Sequence, residues 1–422
     1  MPKKTIIEDA GSMVLAKDRY YDLDTYRTKV NNNVVVVGSP GAGKTRSIVS
    51  PNLLMAKGSY VVTDPKGNLY EKYGPYLRKH GYRVKKLDFT DPGKSEHYNF
   101  FNYIKNSQDI LKVAHMLIYQ DKNRKMNDPF WEEASQLLIQ SIMAFLIEER
   151  SVDEQNLHSI LKLVECCQVP EYDSDVKTVL DRIFEATAEE NPDSYAVSMY
   201  TRFRVAAAKT LKSILISVNA RLSLFDTPEI NELTKKDTID ITSIGKRKTA
   251  LFVVVSDTDR SLDGLINIFF TQTMNELCRY ADKECEDSRL PVPVRFILDD
   301  FATNCRIEEF PRMIASIRSR GISAVIMIQA ESQLTEGYGY DGRTIIGSCD
   351  TYVYLGGNDV ETARAVSERC DMPLNKILNM PVDSNWIFRR GEAPYNGTNL
   401  VLDEFEKEQK ARVVNYLNDK AV

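Results

Sequence analysis

The segment Asn33–Thr45, NVVVVGSPGAGKT, constrains the fold more than any other part of the chain. Four successive valines, 34–37, predict a short buried strand, because β-branched side chains favour strands and the run is too short for a helix. The run leads into the G-x-x-x-x-G-K-[ST] pattern of a phosphate-binding loop, completed by Gly38, Gly43, Lys44 and Thr45. A chance glycine-rich turn is the alternative, and the strand before the loop argues against it.

The residue types in this loop suit a nucleoside triphosphate. Glycines let the backbone wrap closely around an anion, so that successive N–H groups point at the α- and β-phosphates. Lys44 is expected to reach the β- and γ-phosphates, and the Thr45 hydroxyl to hold Mg²⁺. The helix that follows would turn its positive end toward the same phosphates. The predicted nucleotide contacts are Gly38, Ser39, Pro40, Gly41, Ala42, Gly43, Lys44, Thr45 and Arg46.

Composition narrows the class of protein. At 422 residues, with 43% hydrophobic and 27% charged residues, the chain has the balance of a globular protein of two or three domains. Its net charge of −5 means that any nucleic-acid contact must come from a local basic patch. No apolar run has the length to span a bilayer, and seven cysteines without a C-x-x-C pattern indicate reduced thiols. We therefore expect a cytoplasmic nucleotide-binding protein.

Strand and helix signals alternate on both sides of a helical middle. Residues 1–32 resemble a lead-in, and strands are predicted at 60–63, 82–88, 249–256, 294–298, 322–328 and 351–355. Between them, helices are predicted at 70–79, 262–280, 309–318 and 359–369. Residues 107–240 instead give helical patterns, with 15 Lys and Arg against 23 Asp and Glu. The pattern indicates an α/β fold with a mainly parallel sheet, residues 1–106 and 241–422, interrupted by an acidic all-α domain, 107–240.

A phosphate-binding loop needs a carboxylate at the end of a neighbouring strand to order Mg²⁺. Asp299 and Asp300 end one predicted strand, and Asp64 ends another. The paired acids are the better candidates, with Asp299 on the metal and Asp300 as the base that activates water. Capping acids at a strand end, or a plain Asp-Pro turn at Asp64, are the structural alternatives.

Two further polar positions follow the same logic. Gln329 comes directly after the strand 322–328 and could sense the γ-phosphate, although polar residues often end strands. Arg318 and Arg320 lie at a helix end, where cations are favoured in any case. Their functional interpretation is an arginine offered to the nucleotide of a neighbouring subunit.

Taken together and in order, several segments resemble the TraG/TraD-type coupling proteins of type IV secretion and conjugation. These segments are GSPGAGKTRSIVSPNLL, VVTDPKGNLYEKYG, NDPFWEEAS, KTALFVVVSDTD, PVPVRFILDDFATN, IASIRSRGIS, IQAESQL and CDTYVYLGGNDVETA. The resemblance implies a RecA-like P-loop domain interrupted by an all-α domain, in a hexameric, DNA-dependent ATPase at the cytoplasmic face of the membrane. It implies ATP and Mg²⁺ as cofactors, and DNA, relaxase and secretion-channel proteins as partners.

Motif by motif, the resemblance assigns roles to individual residues. It implies phosphate and Mg²⁺ contacts for Lys44 and Thr45 and the metal acid for Asp299. It further implies the arginine acting in trans for Arg318 and the sensor for Gln329. The basic clusters that could contact DNA are Lys122, Arg124 and Lys125; Lys246, Arg247 and Lys248; and Arg202, Lys209 and Lys212. Each is also what a solvated surface would show.

Two departures from the family pattern leave alternatives open. The second acid is usually Glu, and here it is Asp300, one methylene shorter, so either water bridges the gap or hydrolysis is slow. The family's pair of N-terminal membrane helices is not found in this sequence. The sequence is then a part of a longer protein, a member without the anchor, or one tethered by another membrane protein.

Three functions are compatible with these features. The first is an ATP-driven translocase that recruits a relaxase–DNA complex and drives DNA through a secretion channel. The second is a recruitment adaptor that binds ATP without pumping, which the shorter Asp300 favours. The third is a DNA pump of the FtsK or HerA type, against which the DPKG and DPFW segments and the helical middle argue.

Overall fold

A nine-stranded sheet organises most of the chain in the computed structural model, which describes residues 12–119, 129–168, 177–207, 210–301 and 306–409. The strands are β1 Ser12–Ala16, β2 Arg19–Asp22, β3 Val34–Val37, β4 Ser59–Thr63, β5 Arg83–Asp88, β6 Thr249–Val254, β7 Val294–Leu298, β8 Ile322–Ile328, β9 Thr351–Tyr354, β10 Ser384–Arg389 and β11 Tyr395–Thr398. The large sheet has the order β11-β10-β9-β3-β8-β7-β4-β6-β5, and β1 and β2 form a separate hairpin.

The centre of the sheet is parallel. β3 lies between β8 and β9, and β4 lies between β6 and β7, all paired in parallel. β7 also pairs in parallel with β8, whereas β10 runs antiparallel to β9 and β11. Because parallel strands present their carboxyl ends at one edge, the loops after β3, β4, β7 and β8 share that edge. The predicted α/β class and RecA-like P-loop fold are confirmed.

Helices cover the sheet and make up the acidic middle of the chain. The α-helices are Thr25–Thr28, Ser50–Leu54, Asn68–Lys79, Ser107–Ile118, Pro129–Glu149, Leu157–Glu165, Val179–Glu190, Tyr195–Ala207, Leu211–Leu222, Pro228–Thr234, Ile241–Lys246, Asp263–Glu284, Phe310–Ser316, Ser332–Tyr338, Asp341–Gly347, Val360–Cys370 and Leu374–Leu378. A π-helical turn, Thr45–Val49, precedes the helix Ser50–Leu54. Within the described ranges, no helix combines the length and apolarity needed to cross a membrane.

The chain divides into two compact units. One unit contains the residues up to Lys86, Asp240–Asp257 and everything from Thr273 onward, and the other contains Leu87–Ile239 with Thr258–Gln272. The first unit includes the sheet, with Val34, Val36, Tyr60, Val62 and Phe252 in one continuous apolar core. The predicted domain limits of 107 and 240 stay a prediction.

The second unit is built from helices with their own aromatic core. Phe184 stacks on Tyr200 with ring centroids 4.0 Å apart, and Asp181 accepts hydrogen bonds from the Tyr200 hydroxyl and from Arg204. The predicted apolar face of the helix from 211 is buried in full, at Leu211, Ile214, Leu215, Val218, Leu222 and Phe225. The face of the helix from 129 is buried at Ala134, Leu138 and Phe145, but Trp131 and Leu137 are half-buried. The predicted cap of that helix, Asp128, lies outside the described residues.

Two hairpins, β1–β2 and β10–β11, are not among the predicted strands. Residues 1–32 were expected to be a lead-in, but β1 and β2 pair within them, and Met13–Ala16 is buried in the core. The Asn52 side chain fixes β1, since its Oδ1 accepts from the Val14 N–H at 3.1 Å and its Nδ2 donates to the Val14 carbonyl at 2.8 Å. The second hairpin, β10 and β11, extends the sheet beyond β9. All four strands have only four to six residues, which is too short for a clear strand pattern in the sequence.

Candidate functional site

The phosphate-binding loop lies at the carboxyl end of β3, between the ends of β8 and β9. Gly38 N–H donates to the Ile328 carbonyl at 3.1 Å, and Ser39 N–H donates to the Gly356 carbonyl at 3.0 Å. Gly41 and Gly43 have φ angles of +81° and +85°, which L side chains rarely adopt. These glycines give the loop the open curvature that a group of phosphate oxygens requires.

Lys44 lies folded across this loop. Its side chain is buried, with the residue 8% exposed, and Nζ donates to the Gly38 carbonyl at 2.8 Å. A lysine held in this way places its charge inside the curve of the loop, where the β- and γ-phosphates of a nucleotide would lie. A phosphate oxygen can replace the neutral Gly38 carbonyl as the acceptor of this hydrogen bond.

Thr45 and Asp299 meet at the end of the loop. The Thr45 hydroxyl donates to Asp299 Oδ2 at 2.6 Å, although 254 positions separate the two residues in the chain. β3 and β7 are not neighbours, because β8 lies between them, so the contact crosses one strand of the sheet. The predicted pairing of the loop with this acid therefore exists in the structure.

Burial raises the pKa of Asp299 above its ordinary value of 3.8. The hydrogen bond from Thr45 acts in the opposite direction, and the neighbouring Asp300 adds to the rise. A buried carboxylate with a hydroxyl partner gains most from a cation, because a cation compensates the charge that burial has desolvated. The pair is thus suited to Mg²⁺.

Asp300 directly follows this acid and has an unusual backbone. Its φ is +48°, in the left-handed region, where Asp is more easily accommodated than most residues. Its N–H donates to Asp299 Oδ1 at 3.1 Å, so both carboxylate oxygens of Asp299 have partners. This turn brings the two acids to the same edge.

Gln329 lies at the same edge, directly after β8 and therefore between the loop and the acid pair. Its N–H donates to Oε1 of Gln333 at 2.7 Å, which closes the turn into the helix Ser332–Tyr338. Gln329 therefore lies at the carboxyl end of β8, as predicted, and its role as a sensor stays a prediction. Gln333 has no distinctive signal in the sequence, since it is one polar residue among several that follow the strand.

Asp64 has a different role from the acid pair. It is 1% exposed, its Oδ2 accepts from the Tyr70 N–H at 2.8 Å, and its carbonyl accepts from the Gly67 N–H at 3.1 Å. These bonds close the Asp-Pro-Lys-Gly turn and begin the helix Asn68–Lys79. Of the two interpretations of Asp64, the turn is the one that these contacts support.

Arg318 lies at the opposite edge, before the amino end of β8. Seven residues of strand, roughly 20 Å, separate it from Gln329. Its guanidinium donates to the Thr25 carbonyl at 2.7 Å, whereas Arg320 forms a two-bond pair with Asp282 at 2.8 and 2.7 Å. Arg318 is therefore too distant for the phosphate loop of its own chain.

The basic clusters are only partly described. Lys246, Arg247 and Lys248 are exposed just before β6, with Lys246 Nζ 4.7 Å from the Tyr280 ring and Lys248 Nζ 5.7 Å from the Tyr82 ring. Arg202 and Lys212 are exposed on the helical unit. Lys122, Arg124, Lys125 and Lys209 lie outside the described residues.

The residues present fit ATP and Mg²⁺. A Cβ added at Gly38 would come within 3.0 Å of the Leu355 Cβ, so the loop lies against Leu355. In the described ranges, no group of three or more His, Cys, Asp or Glu could hold a metal by itself. A hydroxyl and one carboxylate are what Mg²⁺ takes from a protein when phosphates and water complete its octahedron. Arg46 is exposed beside the loop, 3.5 Å from Asp403.

Comparisons with known proteins agree with this geometry. Residues 3–372 match the family model described as Type IV secretory system Conjugative DNA transfer. The VirD4 protein of Rhizobium radiobacter is 24% identical over 348 residues, which are 79% of this chain and 47% of that protein. The chain thus spans about half the length of the curated relatives it matches.

Solved structures show the same fold at lower identity. The unbound monoclinic form of the bacterial conjugative coupling protein TrwBdeltaN70 has a TM-score of 0.69 and 16% identity, covering 94% of this chain and 89% of that one. The plasmid coupling protein TrwB in complex with ADP and Mg²⁺ has a TM-score of 0.63 and 17% identity, covering 87% and 85%.

Proposed function

This chain belongs to the type IV secretory system conjugative DNA transfer family, and we propose that it is an ATP-hydrolysing coupling protein that drives DNA transfer. The observation that supports the proposal most directly is the 2.6 Å contact between Thr45 and Asp299. It joins a phosphate-binding loop to a metal-binding acid, which is the minimal arrangement for a P-loop ATPase. The structure solved for TrwB with ADP and Mg²⁺ supports the same cofactors.

The residues at the carboxyl edge have separate tasks in this proposal. Lys44 exchanges the Gly38 carbonyl for phosphate oxygens, and the loop amides bind the remaining oxygens. Thr45 and Asp299 hold the Mg²⁺ side of the nucleotide. Bound Mg²⁺·ATP supplies the phosphoanhydride bond and a cation that neutralises charge at the transferred phosphoryl group. Gln329, at the end of the intervening strand, orients groups at the γ-phosphate.

Asp300 is the proposed base. It accepts a proton from the attacking water, either directly or through a second water that spans the missing methylene. Its backbone bond to Asp299 holds the two acids in a constant relation, so that the base follows the metal site. Slow hydrolysis is expected if the second water must be ordered first.

Arg318 acts on another subunit in this proposal. Its distance from its own loop leaves a neighbouring copy as the place where it can contact a phosphate. The proposed active form is a homo-hexamer in which each Arg318 leaves the Thr25 carbonyl to contact the next nucleotide.

We further propose that the ring takes up DNA with its relaxase and hands it to the secretion channel at the cytoplasmic face of the membrane. Lys246, Arg247 and Lys248 are exposed at three successive positions, so their charges are accessible to the phosphates of DNA. Replacing all three by Ala should lower the number of released counterions, and thus the slope of log affinity against log salt, by about 2. The variant Arg202→Ala/Lys212→Ala tests the other described cluster.

A steady-state ATPase assay with and without DNA tests the proposed function. We expect DNA-stimulated turnover that Lys44→Ala abolishes. Turnover no higher than that of Lys44→Ala, with nucleotide binding intact, would leave an adaptor that recruits substrate without pumping. Turnover without capture of a relaxase in a pull-down would indicate a DNA pump of the FtsK or HerA type instead.

A further inference from the structure

A single hydroxyl, that of Thr63, holds the backbone of Asp299 in place. Thr63 is the last residue of β4 and is fully buried. Its Oγ1 accepts from the Asp299 N–H at 2.6 Å and donates to the Asp299 carbonyl at 3.2 Å. A threonine hydroxyl can do both at once, because it carries one proton and two lone pairs.

The Thr63 hydroxyl bonds to the backbone of Asp299 just beyond the point where the strand pairing of β7 ends. The register between β4 and β7 runs to Val62 opposite Ile297, and the register between β7 and β8 runs to Leu298 opposite Ile326. Asp299 lies one residue beyond β7 and is 6% exposed, so its N–H and carbonyl need partners that water does not readily supply. Thr63 supplies both partners.

The bonds from Thr63 to the backbone also affect the position of the Asp299 carboxylate. With its backbone held on one side by Thr63, the Asp299 side chain places Oδ2 on Thr45 and Oδ1 on the Asp300 N–H. The chain then turns sharply, with Asp300 at φ +48°. Thr63, Asp299, Asp300 and Thr45 are thus connected by hydrogen bonds. The series runs from β4, through Asp299, to the phosphate-binding loop.

We infer that Thr63 is a positioning residue for magnesium: its hydroxyl sets where the Asp299 carboxylate stands, and thereby how tightly Mg²⁺ binds beside the nucleotide. The inference rests on the proposed function, because it assumes that the loop binds Mg²⁺·ATP. Groups that orient a metal ligand typically change metal affinity by about 10- to 100-fold when they are removed. A hydroxyl that served stability alone would leave metal affinity unchanged.

The test compares Thr63→Val, which keeps the shape but loses the hydroxyl, with Thr63→Ser, which keeps the hydroxyl. The matched control is Thr249→Val, since Thr249 is also buried in a strand of this sheet and its hydroxyl donates to the Arg247 carbonyl at 2.9 Å. Thr249 begins β6, at the opposite edge of the sheet.

Two measurements are made on the full chain. In the metal-free protein, amide hydrogen exchange over 294–301 should become faster at Asp299 in Thr63→Val and stay as in the wild type in Thr63→Ser and Thr249→Val. By calorimetry, the ratio of ATP affinity with Mg²⁺ to that with EDTA should fall about tenfold in Thr63→Val and less than about twofold in the other two.

An unchanged affinity ratio in Thr63→Val would overturn the inference, whatever the variant does to thermal stability. If Thr63→Val does not fold, Thr63→Ala is compared with Thr63→Ser, and an equal ratio in those two overturns it in the same way. A wild-type chain whose ATP affinity does not depend on Mg²⁺ would refute the proposed function itself, which is a separate and recognisable result.

Discussion

Charged residues bond to different partners at the two ends of the parallel strands. We call these ends the carboxyl edge, where the phosphate-binding loop lies, and the amino edge. At the carboxyl edge, Lys44 bonds to a neutral carbonyl and Asp299 to a hydroxyl, so both charges have partners that a ligand can replace or join. At the amino edge, Arg320 forms a two-bond pair with Asp282, and Arg390 forms one with Asp350. Charges paired in this way are already compensated.

The difference separates a binding site from a scaffold. Lys44 and Asp299 bond to neutral groups, whereas Arg320 and Arg390 bond to carboxylates. Arg318 also lies at the amino edge, and it bonds to the neutral Thr25 carbonyl, much as Lys44 bonds to a carbonyl at the other edge. A bond to a neutral carbonyl is compatible with the proposed contact of Arg318 with a nucleotide of another copy.

Removing the lysine of the carboxyl edge should have the largest effect. Lys44→Ala should lower ATP turnover by about 1,000-fold or more, because a buried charge at the transferred phosphoryl group is lost. Far-UV circular dichroism and the melting temperature should stay close to the wild type. Lys57→Ala, at the amino end of β4, is the matched control and should leave turnover within about twofold. Equal losses in both variants would erase the proposed difference between the edges.

Arg318→Ala should come next, with a loss of about 100-fold in turnover and unchanged ATP binding, because the arginine acts on a neighbouring nucleotide. Mixing Arg318→Ala with Lys44→Ala subunits should restore part of the turnover, since some interfaces then combine an intact loop with an intact arginine. Arg320→Ala, which breaks the pair with Asp282, should affect stability more than turnover. Weaker ATP binding in Arg318→Ala chains kept monomeric by dilution would place the arginine at its own loop and contradict the comparison.

Asp300→Glu tests whether Asp300 is the base at the carboxyl edge. The longer side chain closes the one-methylene gap to the attacking water, and we expect turnover to rise about three- to tenfold. The same change should lower the free energy of unfolding by about 1 kcal/mol, because Glu is less suited than Asp to φ +48°. Stopped-flow phosphate release and chemical denaturation measure the two effects. A fall in both quantities would mean that Asp300 is a turn residue and not the base.

Asp299→Asn should make the metal-free protein more stable, and this gain in stability should be the smallest of these effects. Burial raises the pKa of Asp299 above 3.8, so the fold favours its protonated form and loses stability from this group as the pH rises through that pKa. An uncharged Asn should therefore melt about 2 °C higher at neutral pH, while Mg²⁺-dependent ATP binding is lost.

The gain should also shrink as the pH is lowered toward 3.8, because a carboxyl whose pKa is raised above 3.8 is increasingly protonated there. Differential scanning calorimetry of both proteins in EDTA measures this dependence. A gain that is equal at pH 3.8 and pH 8 would show that the charge of Asp299 is not its source.

Much of the site was accessible from the sequence because its signals are local. The strands Val294–Leu298 and Ile322–Ile328 have the predicted limits, since each is an apolar β-rich run that ends at a polar residue. Gly38 to Thr45 form a pattern that needs no partner elsewhere to be read. Family resemblance supplied the order of the segments, and the family match over 3–372 agrees with it.

Other features depend on residues far apart in the chain. Thr63 contacts Asp299 across 236 positions, and Arg318 contacts Thr25 across 293. Nothing in the neighbourhood of Thr63 distinguishes it from any threonine at the end of a strand. The hairpin β1–β2 is similar, because Val14 bonds to Asn52 across 38 positions and Met13–Ala16 is buried in a core formed with distant apolar residues.

The sequence by itself determined that the chain has a phosphate-binding loop and two acids at the end of one strand, because each follows from residues within about ten positions of one another. It also determined a parallel sheet, which follows from the alternation of strands and helices along the chain. Only the tertiary structure decided that Asp299 is the acid that meets the loop, that Arg318 lies at the opposite edge, and that Thr63 bonds to the backbone of Asp299. The physical reason is that strand order is set by packing among distant segments: inserting β8 between β3 and β7 brings Thr45, Gln329 and Asp299 to one edge, which no local pattern encodes.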